Sequence, residues 1–178
     1  MVWLWLAGCG SRDPVLVDSD RAVALTAAAV QPFAMLRGDL DPAKETWRLE
    51  HAPAGEWTLE YEYSDDRLLV EYSAVVEPKD GDVSWIYLGY GVGRNFVDGA
   101  DGLVLVDLPA ALAWGDETEC DLMRTSGVDV GFVCRGRSGS RAFMATVAGV
   151  FPQGEAAPGR LLARPLAALD AWNPTATH

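Results

Sequence analysis

The sequence predicts an α+β fold, in which an antiparallel sheet of about five to seven strands carries helices packed on it, including an amphipathic C-terminal helix. Three patterns lead to this prediction. Large apolar residues alternate with polar ones after residue 57, two cysteines lie in the two arms of a second hairpin pattern, and apolar residues recur every three or four positions near the C-terminus. With 178 residues, 49% of them hydrophobic, the chain is long enough for one globular domain to bury a core.

The first hairpin is predicted from alternation with a period of two. Four large side chains fall on one face of a strand, with polar residues between them. These large residues are Trp57, Leu59, Tyr61 and Tyr63. A turn signal, Ser64-Asp65-Asp66-Arg67, follows, and the alternation resumes over residues 68–77. The two segments therefore form a predicted meander hairpin.

The second hairpin carries two of the three cysteines. One predicted strand is Thr118–Thr125, and the other begins at Val128 or Asp129 and ends at Arg135. If the loop is Ser126-Gly127-Val128, residues whose numbers sum to 254 face each other, and Cys120 lies directly opposite Cys134. We predict a disulfide there, which would close a loop of about 15 residues and contribute about 3 kcal/mol. The alternative is two buried free thiols in a cytosolic protein.

Two further strands follow from shorter patterns. Residues 103–108 form a short apolar run after the glycine-rich loop 98–102. Residues 141–151 follow a tight turn, and both of their alternating faces are apolar. A strand that is apolar on both faces is predicted to lie in the centre of the sheet.

Three helices are predicted around the sheet. The first begins near Ser19 or Asp20, breaks at Pro32 and stops at Gly38; a strand in this segment is the alternative. The second runs from about Asp82 to Tyr90, where apolar residues fall at helical spacing after an aspartate cap. The third spans residues 158–172, and its apolar side chains recur at spacings of three and four.

The N-terminal segment indicates export. An uncharged apolar run ends in Leu6-Ala7-Gly8-Cys9, which resembles the lipobox of bacterial lipoproteins. The resemblance implies that Cys9 becomes the lipidated first residue of the mature chain and anchors it to a membrane. It divides the chain into a short signal, 1–8, a lipidated cysteine with a tether, 9–14, and one globular domain, 15–178.

The same resemblance implies a location. Gly10 follows Cys9 in place of the aspartate that commonly signals retention in the inner membrane, so the outer membrane is the expected address. The alternative is a buried first strand over residues 2–6, with Cys9 as an inert core thiol and the protein in the cytoplasm.

The order of the predicted elements from about Trp47 to Trp172 resembles the small secreted α/β sandwiches of the PsbP-like type. The shared order consists of paired strands, a helix after an aspartate cap, the connector Trp114-Gly115-Asp116-Glu117, a long hairpin that ends in Arg135-Gly136-Arg137-Ser138-Gly139, and a C-terminal helix. The resemblance implies an antiparallel sheet with helices packed on it, in a lipoprotein or accessory domain that binds or assembles and does not catalyse.

Charge and histidine content exclude several classes of function. The chain has 26 Asp and Glu against 14 Lys and Arg, a formal charge of −12, which argues against nucleic acid as a partner and against docking on anionic lipid. The two histidines are His51 and His178, too few for most histidine triads and zinc sites. We predict no metal and no cofactor.

The acidic residues are interpreted as solvated faces. Glu60 and Glu62 lie on one face of the first hairpin and could imitate the carboxylate pair of a glycosidase, but nothing nearby in the sequence would raise either pKa. A second cluster could gather around Ca²⁺, although it lacks the spacing of a calcium loop. Its members are Asp116, Glu117, Glu119 and Asp121.

The predicted function is a non-catalytic binding or assembly module for another protein of the cell envelope. Exposed aromatic side chains mark such surfaces because Trp and Tyr dominate binding hot spots. The candidate surface residues are Trp57, Tyr61, Trp85, Tyr90 and Arg94. One alternative is a small-ligand carrier with a cavity between sheet and helices. Another is an envelope hydrolase, which requires His51 within hydrogen-bond reach of a serine or a carboxylate.

Overall fold

The described part of the computed structural model is dominated by one antiparallel sheet. It comprises residues 15–16, 41–52, 55–65, 68–77, 102–109, 111–149 and 155–172. The strands are β1 (Val15–Leu16), β2 (Glu45–His51), β3 (Trp57–Ser64), β4 (Leu68–Val76), β5 (Leu103–Asp107), β6 (Glu117–Thr125), β7 (Val128–Ser138) and β8 (Arg141–Gly149). A 3-10 turn, Pro42–Lys44, precedes β2, and one helix, α1 (Ala157–Ala171), follows β8.

The sheet consists of two meanders joined in the middle. Its strand order is β1-β2-β3-β4-β8-β7-β6-β5, and every neighbouring pair is antiparallel. The join is the pairing of β4 with β8, which extends from Leu68 opposite Gly149 to Val76 opposite Arg141. Turn signals fixed the hairpins within each meander, whereas this central pairing connects segments far apart in the chain.

Helix α1 packs on one face of the sheet, which we call the helix face. Its apolar side chains join the main core with the large residues of the central strands. The members contributed by α1 are Leu161, Leu162, Leu166 and Leu169, followed by Trp172. The helix passes through Pro165 without ending, and Pro158 lies in its first turn, where a missing N–H costs no hydrogen bond.

Polar contacts hold the C-terminal end of α1 in place. The Arg141 side chain donates from Nε to the carbonyl oxygen of Leu169 at 3.0 Å and from a terminal nitrogen to that of Trp172 at 2.9 Å. These bonds satisfy carbonyl groups that the end of a helix leaves free. The indole of Trp114 donates to the carboxylate of Asp170 at 3.1 Å, which ties α1 to the connector before β6.

Strand β8 lies inside the sheet, as its two apolar faces predicted. All seven residues from Ala142 to Ala148 are buried, so both faces of this strand are covered. On the face opposite α1, which we call the groove face, Val75, Ala142 and Met144 form a second small apolar cluster. The core therefore extends to both sides of the central strands.

The β6–β7 hairpin confirms the predicted cysteine pairing through a different turn. The loop has two residues, Ser126 and Gly127, whose φ angles of 50° and 79° are those of a type I′ turn. A two-residue loop alone would place Cys120 out of register with Cys134. A β-bulge beside Met123 shifts the register by one residue, so Cys120 pairs with Cys134 and their sulfur atoms are bonded. Strand β7 begins at Val128, one of the two predicted starts, so the three-residue loop on which the cysteine pairing had been argued is wrong.

The remaining sequence predictions have mixed outcomes. The first hairpin, the strand before the connector and the C-terminal helix are confirmed, although β5 ends at Asp107 and β8 is described only to Gly149. The helices predicted over residues 19–38 and 82–90 lie outside the described residues, as does the N-terminal run. The antiparallel sheet with a C-terminal helix is thus established, and the packing of further helices stays a prediction.

Candidate binding groove on the sheet

A groove with a volume of about 420 Å³ lies across β2, β3 and β4. We call it the acidic groove. Its lining residues are Thr46, Trp47, Arg48, Glu60, Tyr61, Glu62, Glu71 and Ser73. Most of these side chains occupy the positions that alternate with the buried residues of β3 and β4. The groove is therefore on the groove face, away from α1.

Strand register brings two carboxylates together in this groove. Glu62 of β3 is paired directly with Glu71 of β4, so both side chains project from the same face of the sheet. Like charges in directly opposite positions destabilise a sheet. Other interactions in the fold must offset the unfavourable energy of this pair. Carboxylates held together in this way are candidates for a functional site.

Glu71 is the more perturbed of the two carboxylates. One of its carboxylate oxygens is buried and has no hydrogen-bond partner. Burial, and secondly the charge of Glu62, raise the pKa of Glu71 from 4.5 to about 7. Glu62 itself is exposed. At neutral pH a substantial fraction of Glu71 is therefore protonated.

A second unpartnered oxygen lies next to Glu71. Thr146 of β8 is paired directly with Glu71, and it is 1% exposed. Its hydroxyl has no hydrogen-bond partner and is not bonded to Glu71. Because paired residues share a face, Glu62, Glu71 and Thr146 form one row across three strands. Unsatisfied buried polar atoms are uncommon in native proteins, so two adjacent ones require an explanation.

Arg48, the basic residue that lines the groove, already contacts two glutamates. Arg48 forms an ion pair with Glu50 and approaches Glu60 at 4.0 Å between a terminal nitrogen and a carboxylate oxygen. Arg48 and Glu60 belong to the row next to that of Glu62 and Glu71. The two carboxylates of the second row have no basic partner among the described ion pairs.

The acidic cluster considered for calcium is divided among separate contacts. Glu117 and Glu119 form ion pairs across the hairpin with Arg137 and Arg135, respectively. Asp116 accepts a hydrogen bond from the backbone of the β7–β8 turn at 2.9 Å. Over the residues that the structure describes, no three His, Cys, Asp or Glu side chains are placed to hold one metal ion.

The predicted aromatic surface is only partly within the described residues. Tyr61 is 2% exposed and packs in the core, so it provides no exposed ring, although it also borders the acidic groove. Trp57 is half-buried and stacks on His51, with 4.3 Å between ring centroids. Trp47, on β2 near the edge of the sheet, is instead an exposed aromatic residue, at 41%. The other candidates, Trp85, Tyr90 and Arg94, lie outside the described residues.

Sequence reasoning missed Glu71 and Thr146. Glu60 and Glu62 are exposed, as their interpretation as a solvated face predicted. The perturbed carboxylate is their neighbour on the next strand, and no local pattern distinguishes it from other strand glutamates. The described contact of His51 is its stack with Trp57, and no described hydrogen bond joins it to a serine or a carboxylate.

Comparisons with protein-family models, curated proteins and solved structures gave no match. The lipobox and the PsbP-like resemblance therefore stay predictions. In the part of the chain that the structure describes, no helix combines the length and apolar character that crossing a membrane requires.

Glu71 should make the protein less stable as the pH rises from about 4.5 to about 7. Because its pKa is raised in the folded state, folding favours the protonated form. The stabilisation is complete below the unfolded pKa and is lost as the pH rises through the folded one. We expect the unfolding free energy of Glu71→Gln to be about 1–2 kcal/mol higher than that of the wild type at high pH. This is less than the full pKa shift would correspond to, because solvent screens a carboxyl group that is only half-buried.

Urea unfolding of both proteins at about pH 5 and about pH 8 measures this difference. Glu60→Gln is the matched control, since Glu60 is exposed on the same face, and it should show no such dependence. Equal pH profiles for the wild type and Glu71→Gln would contradict the assignment.

Proposed function

We propose that this protein is an exported, lipid-anchored envelope protein that acts as a non-catalytic binding module, with the acidic groove as its contact surface. The observation that carries the proposal is the buried carboxylate oxygen of Glu71, which has no donor in the free protein. A ligand that supplies a donor would satisfy this oxygen and relieve its repulsion with Glu62. The PsbP-like resemblance, which implies binding or assembly, supports the same function.

Two observations support the location. The segment Leu6-Ala7-Gly8-Cys9 has the form of a lipobox. Cys120 and Cys134 are bonded, and disulfides persist in oxidising compartments such as the bacterial periplasm. The proposed address is the outer membrane, with a further envelope protein as partner. The competing location is the cytoplasm, with residues 1–9 as part of the core.

The anchor is tested by Cys9→Ala. We expect the wild type to fractionate with membranes as an acylated species that starts at Cys9, and Cys9→Ala to lose both the acyl mass and the membrane association. Intact mass spectrometry with and without reductant is the measurement, and reduction should add two hydrogens for the disulfide. An unmodified chain that starts at Met1 with three free thiols would contradict the proposed location.

The contact surface is tested by photocrosslinking in intact cells. A photoreactive residue at Thr46, which is exposed and lines the groove, is compared with one at Ala163, which is exposed on α1. We expect a discrete protein adduct from position 46 that is lost in Glu71→Gln, and none from position 163. Identical adducts from both positions, or adducts insensitive to Glu71→Gln, would argue against the groove as the contact surface.

A small-ligand carrier is the second candidate. The groove volume of about 420 Å³ is within the range of small-molecule sites, roughly 300–1,000 Å³. This groove is on the face away from α1, whereas the sequence-based expectation placed a carrier cavity between sheet and helices. A carrier would give no protein adduct from position 46 but would bind a small molecule there.

A further inference from the structure

We propose that a primary ammonium group binds at the β4 side of the acidic groove, held by Glu62 and Glu71 of the groove and by Thr146, which is paired with Glu71 beyond the groove lining. The inference rests on the proposed binding function and names the chemistry of the bound group. Three oxygen-bearing side chains lie side by side on β3, β4 and β8. Two of them have a buried oxygen without a hydrogen-bond partner. What the row lacks is therefore a compact, positively charged donor.

An ammonium group matches this row in number and charge. It carries three N–H donors that radiate from one nitrogen, and it has no acceptor to leave unsatisfied. One donor can bond to each of Glu62, Glu71 and Thr146, because a hydroxyl accepts as well as donates. Its positive charge also removes the repulsion between the two carboxylates. Both results follow from a single group.

Other cations fit the row less well. A guanidinium is a planar fork that suits two oxygens of one carboxylate, whereas these acceptors come from three separate side chains. Calcium takes six to eight oxygen ligands, and two carboxylates with one hydroxyl supply too few. Among the described residues, no three His, Cys, Asp or Glu side chains are placed to hold one metal ion.

Burial and net charge both favour the complex. Thr146 is 1% exposed, so an ammonium that reaches it leaves bulk water and interacts more strongly with the carboxylates. The net charge of −12 attracts cations over a longer range and speeds their encounter with the groove. The charged groups that face Glu71 from the neighbouring strands are Glu62 and Glu60 of β3 and Arg48 of β2. The net charge of these three groups is negative.

The ammonium could belong to a lysine side chain of a partner protein or to a free amine. The first source corresponds to an assembly module and the second to a carrier. Binding of full-length protein in detergent is measured by calorimetry with three probes. These are N-acetyl-lysine methylamide, a lysine-containing peptide and cadaverine. N-acetyl-norleucine methylamide, which has the same stem without the amine, and the corresponding arginine amide are the matched controls.

We expect the lysine amide to bind at least tenfold more tightly than the norleucine and arginine amides. Glu71→Gln should weaken its binding about tenfold and Thr146→Val about threefold, whereas Glu119→Gln, on an exposed ion pair elsewhere on the same face, should leave it unchanged. Binding should also release a proton below about pH 7, which calorimetry in buffers of different ionisation enthalpy detects. Thermal unfolding confirms that each variant is folded.

The outcomes separate this inference from the proposed function. Equal binding of the arginine amide, tighter binding of Ca²⁺, or no effect of Glu71→Gln would overturn the ammonium assignment. If groove-dependent crosslinks are found and the lysine amide does not bind, the ammonium assignment fails and the binding module stands. If the lysine peptide binds more tightly than cadaverine, the source is a partner protein; the reverse order assigns a free amine.

Discussion

Replacing both cysteines of the hairpin, as Cys120→Ala/Cys134→Ala, is expected to lower the free energy of unfolding by about 3 kcal/mol. The bond closes a loop of about 15 residues, and its removal returns chain entropy to the unfolded state. Both cysteines are also buried, at 5% and 1% exposure, so the variant loses packing as well. Urea unfolding of the oxidised protein and of the double variant measures the loss.

Reductant provides the control for this experiment. The free energy of unfolding of the reduced wild type should equal that of the double variant, apart from the packing that the double variant loses with its two sulfur atoms. Cys9→Ala should retain the full stability of the oxidised protein. A double variant as stable as the oxidised wild type would show that the bond contributes little to the hairpin. The location argument would then rest on the lipobox alone.

Phe143→Ala is expected to destabilise the protein by about 3–5 kcal/mol, the cost of removing a large side chain from a close-packed core. Phe143 is 0% exposed in central strand β8. Its ring meets the edge of Trp114, with 5.2 Å between centroids, so the cavity would also loosen the connector that α1 holds through Asp170. Chemical unfolding, followed by tryptophan fluorescence, is the measurement.

Val104→Ala is the matched control for this core variant. Val104 is 53% exposed on edge strand β5, so shortening its side chain should change the stability by less than about 0.5 kcal/mol. Comparable losses in the two variants would mean that β8 is not the packed centre of the sheet. Retention of full stability by Phe143→Ala would contradict the burial of this residue.

The hairpins were predictable because their signals are local. Alternation over residues 57–63 and 68–77 defined β3 and β4. The glycine turns separated β6, β7 and β8 from one another, although β7 extends to Ser138, beyond the predicted end at Arg135. The cysteine pairing was predicted correctly with the wrong loop. A two-residue turn and a bulge beside Met123 give the same register as the predicted three-residue loop. Hydrophobic pattern and turn signals did not distinguish these two solutions.

Exposure along one strand face was harder to predict. Trp47 and Tyr61 are paired and share the helix face, yet Trp47 is 41% exposed and Tyr61 is 2% exposed. The difference arises because β2 lies near the edge of the sheet, whereas β3 lies closer to the centre. Alternation assigns a side chain to a face, but strand order decides whether anything covers it.

By itself the sequence determined the sheet-forming segments, the opposition of Cys120 to Cys134 and the C-terminal helix. Each depends on periodicity or turn chemistry within a short stretch of chain. Only the tertiary structure decided that β4 pairs with β8, and hence that Thr146 lies beside Glu71. That contact joins residues far apart in the chain, and the raised pKa of Glu71 results from burial and a neighbouring strand. The properties on which the binding proposal depends are therefore consequences of strand order, which no local pattern encodes.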